Sequence, residues 1–160
     1  MSSRSRFAIR PGRLGDLRAL MVMMRAFSGE DHVAWRPRRV LPALRRLLRA
    51  PRLGRVLVSA AGGELRGYAI GTFGYDLEFG GADAFVTEIF VRPAFRGSGE
   101  GRRLLEAITR AMRRGGAAAI HLAVRRANHK ARRLYQTAGF APIPRLVLSK
   151  RLGRSARGAA

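Results

Sequence analysis

Residues 96–102 read Arg-Gly-Ser-Gly-Glu-Gly-Arg, with glycine at every second position and an arginine at each end. Without Cβ atoms, Gly97, Gly99 and Gly101 lay the backbone bare for something to approach closely. Arg96 and Arg102 add fixed positive charge on either side. An apolar run, Ala84 to Val91, precedes this loop and stops at Pro93; a helical pattern follows it. Strand, glycine turn and helix start bring successive N–H groups to one point, where the helix dipole favours negative charge. A phosphate suits such a point, a diphosphate best, and the alternative is a plain glycine-rich turn.

Spacing removes two nucleotide readings. A dinucleotide fingerprint, G-x-G-x-x-G, started from Gly97 needs glycine where Arg102 stands; started from Gly99 it needs one at Leu104. A P-loop requires G-K-[ST] after four intervening residues, and here Arg102 and Arg103 occupy those places.

Other reactive side chains are few. The chain has no cysteine, hence no disulfide, thiolate ligand or thiol nucleophile. His32, His121 and His129 are scattered without metal-ligand spacing, so no metal is expected. Glu30, Asp31 and His32 fall in a polar break, Ser28 to His32, behind an amphipathic helix. Glu88 alternates with Phe90 on one face of the strand leading into the glycine loop.

The elements that must position these residues follow from hydrophobic period. Phe7–Arg10 reads as a short strand. Leu14, Leu17, Leu20, Met21, Met24 and Phe27 give a first helix with Asp16 near its start, and residues 38–49 a second that stops before Pro51. Residues 55–60 and 65–73 form a hairpin about Gly62-Gly63. After Gly80-Gly81 comes the strand ending at Val91. Leu104, Leu105, Ile108, Ala111 and Met112 mark a third helix, ended by Gly115-Gly116. Residues 119–124 are a strand, 128–138 a helix stopped by Gly139, and Leu146–Ser149 a last strand closing the sheet. The order predicts an α+β (mixed α/β) domain over residues 1–152, with 153–160 a disordered basic tail.

The formal charge is +22, yet lysine occurs only at 130 and 150; every other basic side chain is arginine, amid abundant alanine and glycine. A GC-rich coding sequence produces that bias without selection for binding. The other reading of the charge is an acidic partner, making the chain a basic nucleic-acid- or ribosome-binding protein with little or no chemistry of its own. No apolar run reaches the roughly 20 residues of a membrane span, and the N-terminus lacks a signal-peptide pattern, so a soluble cytoplasmic location is expected.

Residues 96–101 match the R/Q-x-x-G-x-G/A signature of the GNAT superfamily of N-acetyltransferases, and "TEIFVRPAFRGSGEGRRLLEAI" resembles that superfamily's fourth strand, pyrophosphate loop and third helix. Residues 128–140 resemble its N-x-x-A-x-x-x-Y-x-x-x-G-F segment, and "IRPGRLGDLRALM" a typical start. The resemblance implies a central, mostly antiparallel sheet with a splayed parallel strand pair and about four flanking helices. It implies an enzyme that moves acetyl from acetyl-coenzyme A to a primary amine of a small molecule or protein, by direct attack in a ternary complex. The cofactor would lie on Ile89, Phe90 and Val91, on Arg96, Gly97, Ser98, Gly99, Glu100, Gly101 and Arg102, and on Asn128, the last also a good N-cap.

Tyr135 stands where the family usually keeps a tyrosine that protonates the departing thiolate; the alternative is a core residue beside Ala131, Leu134 and Ala138. Glu88 is the candidate base, directly or through water, against a structural or substrate-positioning role. The resemblance puts Phe27, Glu30 and Asp31 at the border of the family's acceptor pocket, with the carboxylates holding an ammonium substrate; the alternative is a solvated loop with ordinary polar residues. The diamine-acetylating branch has a pair of acids where this chain has Thr87-Glu88, which weakens a polyamine reading. Most members form dimers, so a homodimer is expected.

Overall fold

Val56, Leu57 and Val58 are all buried, as are Tyr68, Ala69 and Ile70. Consecutive buried residues in a strand mean that both faces are covered, and that is the architecture of the computed structural model, which describes residues 7–152. The C-terminal segment 153–160 lies outside the described residues.

Nine main elements follow in order: β1 (Ala8–Pro11), α1 (Leu17–Glu30), α2 (Pro37–Arg49), β2 (Gly54–Ala61), β3 (Glu64–Asp76), β4 (Gly81–Val91), α3 (Glu100–Arg114), β5 (Ala119–Leu122) and α4 (His129–Thr137). The strands form one sheet in the order β1-β2-β3-β4-β5. The first three pairings are antiparallel, and β4 with β5 is parallel. That parallel step needs a crossover, which α3 supplies. The expected mixed α+β class and GNAT-like layout are present.

Each sheet face has its own core. Leu20, Met23 and Met24 of α1 and Leu44 of α2 pack on Val56, Val58, Tyr68, Ile70 and Phe90. Leu104, Leu105, Ile108, Ala111 and Met112 of α3 pack, with Tyr135, against Leu57, Ala69, Ala84, Val86 and Val91. The helical spacing of these residues in the sequence is therefore what assigns each helix to its face.

Two features of β4 shape everything downstream. Its register with β3 shifts at Ile70/Gly71: Ile70 faces Glu88 while Gly71 faces Val86, so Thr87 is the extra residue of a bulge. On its other side β4 pairs with β5 only from Asp83↔Ala119 to Val86↔Leu122. Beyond Val86 the two strands part.

The last strand expected at Leu146–Ser149 does not form: residues 140–152 carry no regular structure, and β5 is the sheet edge among the described residues. Pro142 and Pro144 lack the N–H groups a ladder requires. Arg145 then pairs in fork geometry with Glu78, at 2.7 and 3.2 Å, in the turn that leads into β4. This contact takes the chain to the start of β5, away from the end at which an antiparallel neighbour of β5 would begin.

Candidate active site

Where β4 and β5 separate, a cavity of about 550 Å³ opens through the sheet. Thr87 to Val91 form one wall and Leu122 to Arg125 the other. The glycine loop closes one end, the last turn of α1 another, and α4 contributes Ala131, Leu134 and Tyr135.

The loop conformation follows from its glycines. Gly97 and Gly99 have φ of 82° and 87°, the left-handed region that side chains disfavour. Gly99 is the N-cap of α3, so the uncapped amides of the first turn stay open at the cavity. Gly101 has ordinary helical geometry, and a Cβ there would sit 3.8 Å from Leu134 Cδ2 and Val91 Cγ2, a normal contact. Two of the three glycines are thus demanded by the backbone and the third is not.

The loop arginines divide their work. Arg96 is held on two sides: its Nε donates to the Val91 carbonyl at 2.7 Å, and its Nη2 donates to both carboxylate oxygens of Glu30 at 2.8 and 2.9 Å. It therefore ties the loop to β4 and α1. Arg102 pairs with Glu106 one turn on and lines the cavity, as do Arg125 and Lys130. Exposed first-turn amides with cations on this side fit a diphosphate.

Of the residues expected at the cofactor, Ile89, Phe90, Val91, Arg96, Gly97, Gly99, Gly101, Arg102 and Asn128 line the cavity. Ser98 and Glu100 do not have side chains there. Ser98 Oγ donates to the Phe95 carbonyl at 2.7 Å. The Glu100 side chain is buried beneath the loop, where its Oε2 accepts from Ser59 Oγ at 2.7 Å and Arg66 approaches at 3.5 Å. Only the main chain of these two residues is left to meet a ligand. Asn128 serves as N-cap, its Oδ1 accepting from the Ala131 amide at 3.1 Å, while also bordering the cavity.

Two titratable groups reach the cavity from opposite faces of the sheet. Glu88 belongs to the α1–α2 face, where Tyr68 donates its hydroxyl proton to Glu88 Oε2 at 2.6 Å. Burial pushes the Glu88 carboxyl above its ordinary value; the Tyr68 hydrogen bond opposes the rise and the charge of Asp31 adds to it. Tyr135 comes from the α3–α4 face with Phe140 packed edge-on at 6.1 Å. Its phenol is pushed up to about 12, chiefly by burial and then by Asp31. Asp31 is thus the charge common to both, and it makes no ion pair among the described residues.

Phe27, Glu30 and Asp31 line the cavity, with Glu30 in the last turn of α1 rather than in a loop. Tyr68 went unforeseen. Its only signal was a tyrosine in a strand, and nothing local says that it faces Glu88 across the sheet. Charge is segregated: cations surround the loop and α4 end, acids the α1 end, in a chain whose ten acids are outnumbered by 32 bases.

The model of the acetyltransferase (GNAT) family matches residues 21–140. The chain belongs to this family. A comparison with curated protein sequences finds no match. Among solved structures, an integron cassette protein from the mobile metagenome of Cole Harbour Salt Marsh is 31% identical, with a TM-score of 0.80 over 92% of this chain and 91% of that one. The aminoglycoside N-acetyltransferase AAC(6')-Iy in complex with CoA is 20% identical, with a TM-score of 0.80 over 94% and 99%. A ribosomal-protein-alanine N-acetyltransferase from Brucella melitensis is 18% identical, with a TM-score of 0.70 over 92% and 100%. At these last identities the likeness is one of fold. Family membership makes acetyl transfer the chemistry that this cavity must accommodate. No helix among the described residues is long and apolar enough to cross a membrane.

Proposed function

We propose that the protein transfers acetyl from acetyl-coenzyme A to the primary amine of a cationic acceptor, by direct attack within a ternary complex. The observation that carries this reading is the opening through the sheet, with Glu88 and Tyr135 entering from opposite faces. Such a gap lets a thioester arrive along one strand edge and an amine from the other face, without a covalent enzyme intermediate.

The amides of the Gly97–Gly101 turn and the cations Arg102, Arg125 and Lys130 hold the diphosphate. Beyond Val86, β4 has no partner strand on its β5 side, so the main-chain groups that the stretch Glu88 to Val91 turns to that side, apart from the Val91 carbonyl held by Arg96, can pair with the pantetheine arm. An amide in this stretch donates to the thioester oxygen as charge develops there. Asp31 attracts the ammonium form of the acceptor. Glu88, directly or through one water, takes the proton that the attacking nitrogen must lose. The Tyr135 hydroxyl donates to the departing sulfur.

Two substitutions of the same size separate the loop's roles. Gly99→Ala forces a side chain into the left-handed region, at a cost of roughly 1–2 kcal/mol, and is expected to weaken coenzyme A binding about tenfold or more. Gly101→Ala meets only ordinary contacts and is expected to leave affinity within about twofold. Calorimetric titration of both variants checks this, and equal effects would show that backbone conformation is not what shapes the site.

Asp31→Asn is expected to raise the acceptor's KM about tenfold, as befits a lost charged hydrogen bond. Because the Asp31 charge helps hold the Glu88 carboxyl up, the acid limb of kcat/KM should also move to lower pH. An acid limb that stays in place would reduce Asp31 to a loop residue.

The acceptor class is tested by following free thiol release across cationic amines: aminoglycosides, amino acids, and peptides with a free N-terminus. Correctly folded protein that fails to bind coenzyme A would end the proposal.

A further inference from the structure

Glu100 is the one acid between Glu88 and Glu106, and it stands inside the turn that is shaped for an anion. It is the first residue of α3, and its amide belongs to the uncapped first turn. Its side chain runs under the loop and is 1% exposed. A carboxylate withdrawn from water is costly, and its charge opposes any anion that arrives above the turn. The steps of acetyl transfer give this side chain no task.

Two strands supply its partners. Ser59 of β2, itself fully buried, donates to Glu100 Oε2 at 2.7 Å. Arg66 of β3 brings Nη1 to Glu100 Oε1 at 3.5 Å, and that guanidinium side chain is only 16% exposed. Strand register puts it there. Ser59 faces Gly67 while Ala60 faces Leu65, so Arg66 is the extra residue of a bulge, and a bulge re-aims the side chain it carries. The same guanidinium stands over the Phe95 ring, 4.5 Å from Cζ to centroid. Arg66 therefore touches both ends of segment 95–100, Phe95 before Gly97 and Glu100 after Gly99. A pair so far withdrawn from water is weakly screened by salt, so the guanidinium offsets the carboxylate at close range.

We propose that Arg66 is a positioning residue for the cofactor: it cancels the Glu100 charge beneath the glycine turn, which leaves the first-turn amides attractive to a diphosphate. This role rests on the diphosphate reading of that turn. Breaking a buried pair from one side leaves an uncompensated charge, whereas removing both charges together costs little. The two residues should therefore act on cofactor binding with opposite sign. A clamp that only held the shape of the loop would be weakened by either substitution.

Calorimetric titration of coenzyme A into the full chain and three variants is the test, and none of it depends on turnover. Arg66→Gln keeps a donor for Glu100 but not the charge, and should weaken binding about tenfold or more. Glu100→Gln still accepts from Ser59 and keeps the Arg66 charge under the turn, so it should bind at least as tightly as the native protein. Arg66→Gln/Glu100→Gln should return to within about threefold of native affinity. Pantetheine, the same arm without the diphosphate, should bind all four proteins alike. If circular dichroism shows Arg66→Gln unfolded, Glu100→Gln and the double variant decide alone. Weakened binding in Glu100→Gln, a double variant no better than Arg66→Gln, or an equal loss for pantetheine would each overturn this role while the diphosphate reading stands. Native protein with no affinity for coenzyme A would overturn both.

Discussion

Tyr135→Phe is expected to lower kcat by about 10- to 100-fold while leaving the affinity for coenzyme A within about threefold, as for a lost hydrogen bond to a charged group. Phenylalanine keeps the ring, its burial and its edge contact with Phe140, so the variant removes only the hydroxyl. The environment of that hydroxyl bears on the role proposed for it. A thiol titrates near 8.5, whereas burial and Asp31 push the Tyr135 phenol up to about 12. Complete proton transfer from such a phenol to a thiolate is uphill. A strong hydrogen bond to sulfur, with the proton passing only late, is the better description. A raised pKa keeps the phenol protonated as pH rises, so the Tyr135-dependent rate should show no alkaline fall below about pH 10. Stopped thiol-release assays between pH 6 and 10 check both points. Equal kcat in Tyr135→Phe would reduce the residue to packing.

Glu88→Gln carries the other large effect. Loss of the proposed base should reduce kcat by about 10²- to 10⁴-fold, while the amide oxygen still accepts from Tyr68. Stability should move the opposite way. The folded state raises the Glu88 pKa, so it binds this proton more tightly than the unfolded chain does. Stability from this group is therefore full below the ordinary value of 4.5 and declines as pH rises through the folded value. Glutamine cannot ionise and escapes that decline. The variant should melt higher than the native protein at pH 8, and the two should converge near pH 4. A kcat lost together with a lowered melting temperature at pH 8 would make Glu88 structural. Tyr68→Phe supplies the control: without the hydroxyl that opposes the rise, the acid limb of the native rate profile should shift to higher pH.

The glycine loop was legible because its requirements are local. Positive φ at Gly97 and Gly99 and an open helix start are written into seven consecutive residues. α3 and α4 were legible for the same reason, their apolar period and end signals lying within one element. Element ends were less so. α1 begins three residues later than its apolar period suggested and runs on through Glu30, and β3 and β4 extend each other by a few residues because each supplies the other's hydrogen bonds. Leu146–Ser149 shows the opposite failure. Its apolar pattern is that of a strand, but a strand exists only against a partner, and Pro142, Pro144 and the Arg145–Glu78 pair direct it away from its own sheet.

By itself the sequence determined the order of elements from β1 to α4, the glycine turn at the start of α3 and the place of Tyr135 on a short capped helix, because each depends on neighbours within a few residues. It could also place Glu88 on the strand before the loop. Only the tertiary structure decided what Glu88 and Tyr135 are to each other. The parting of β4 and β5 after Val86 brings them into one cavity from opposite sides of the sheet. The hydroxyl of Tyr68 and the burial of Glu100 against Ser59 join residues 20 and 41 positions apart. No periodicity records such contacts, since they arise from strand register and helix packing.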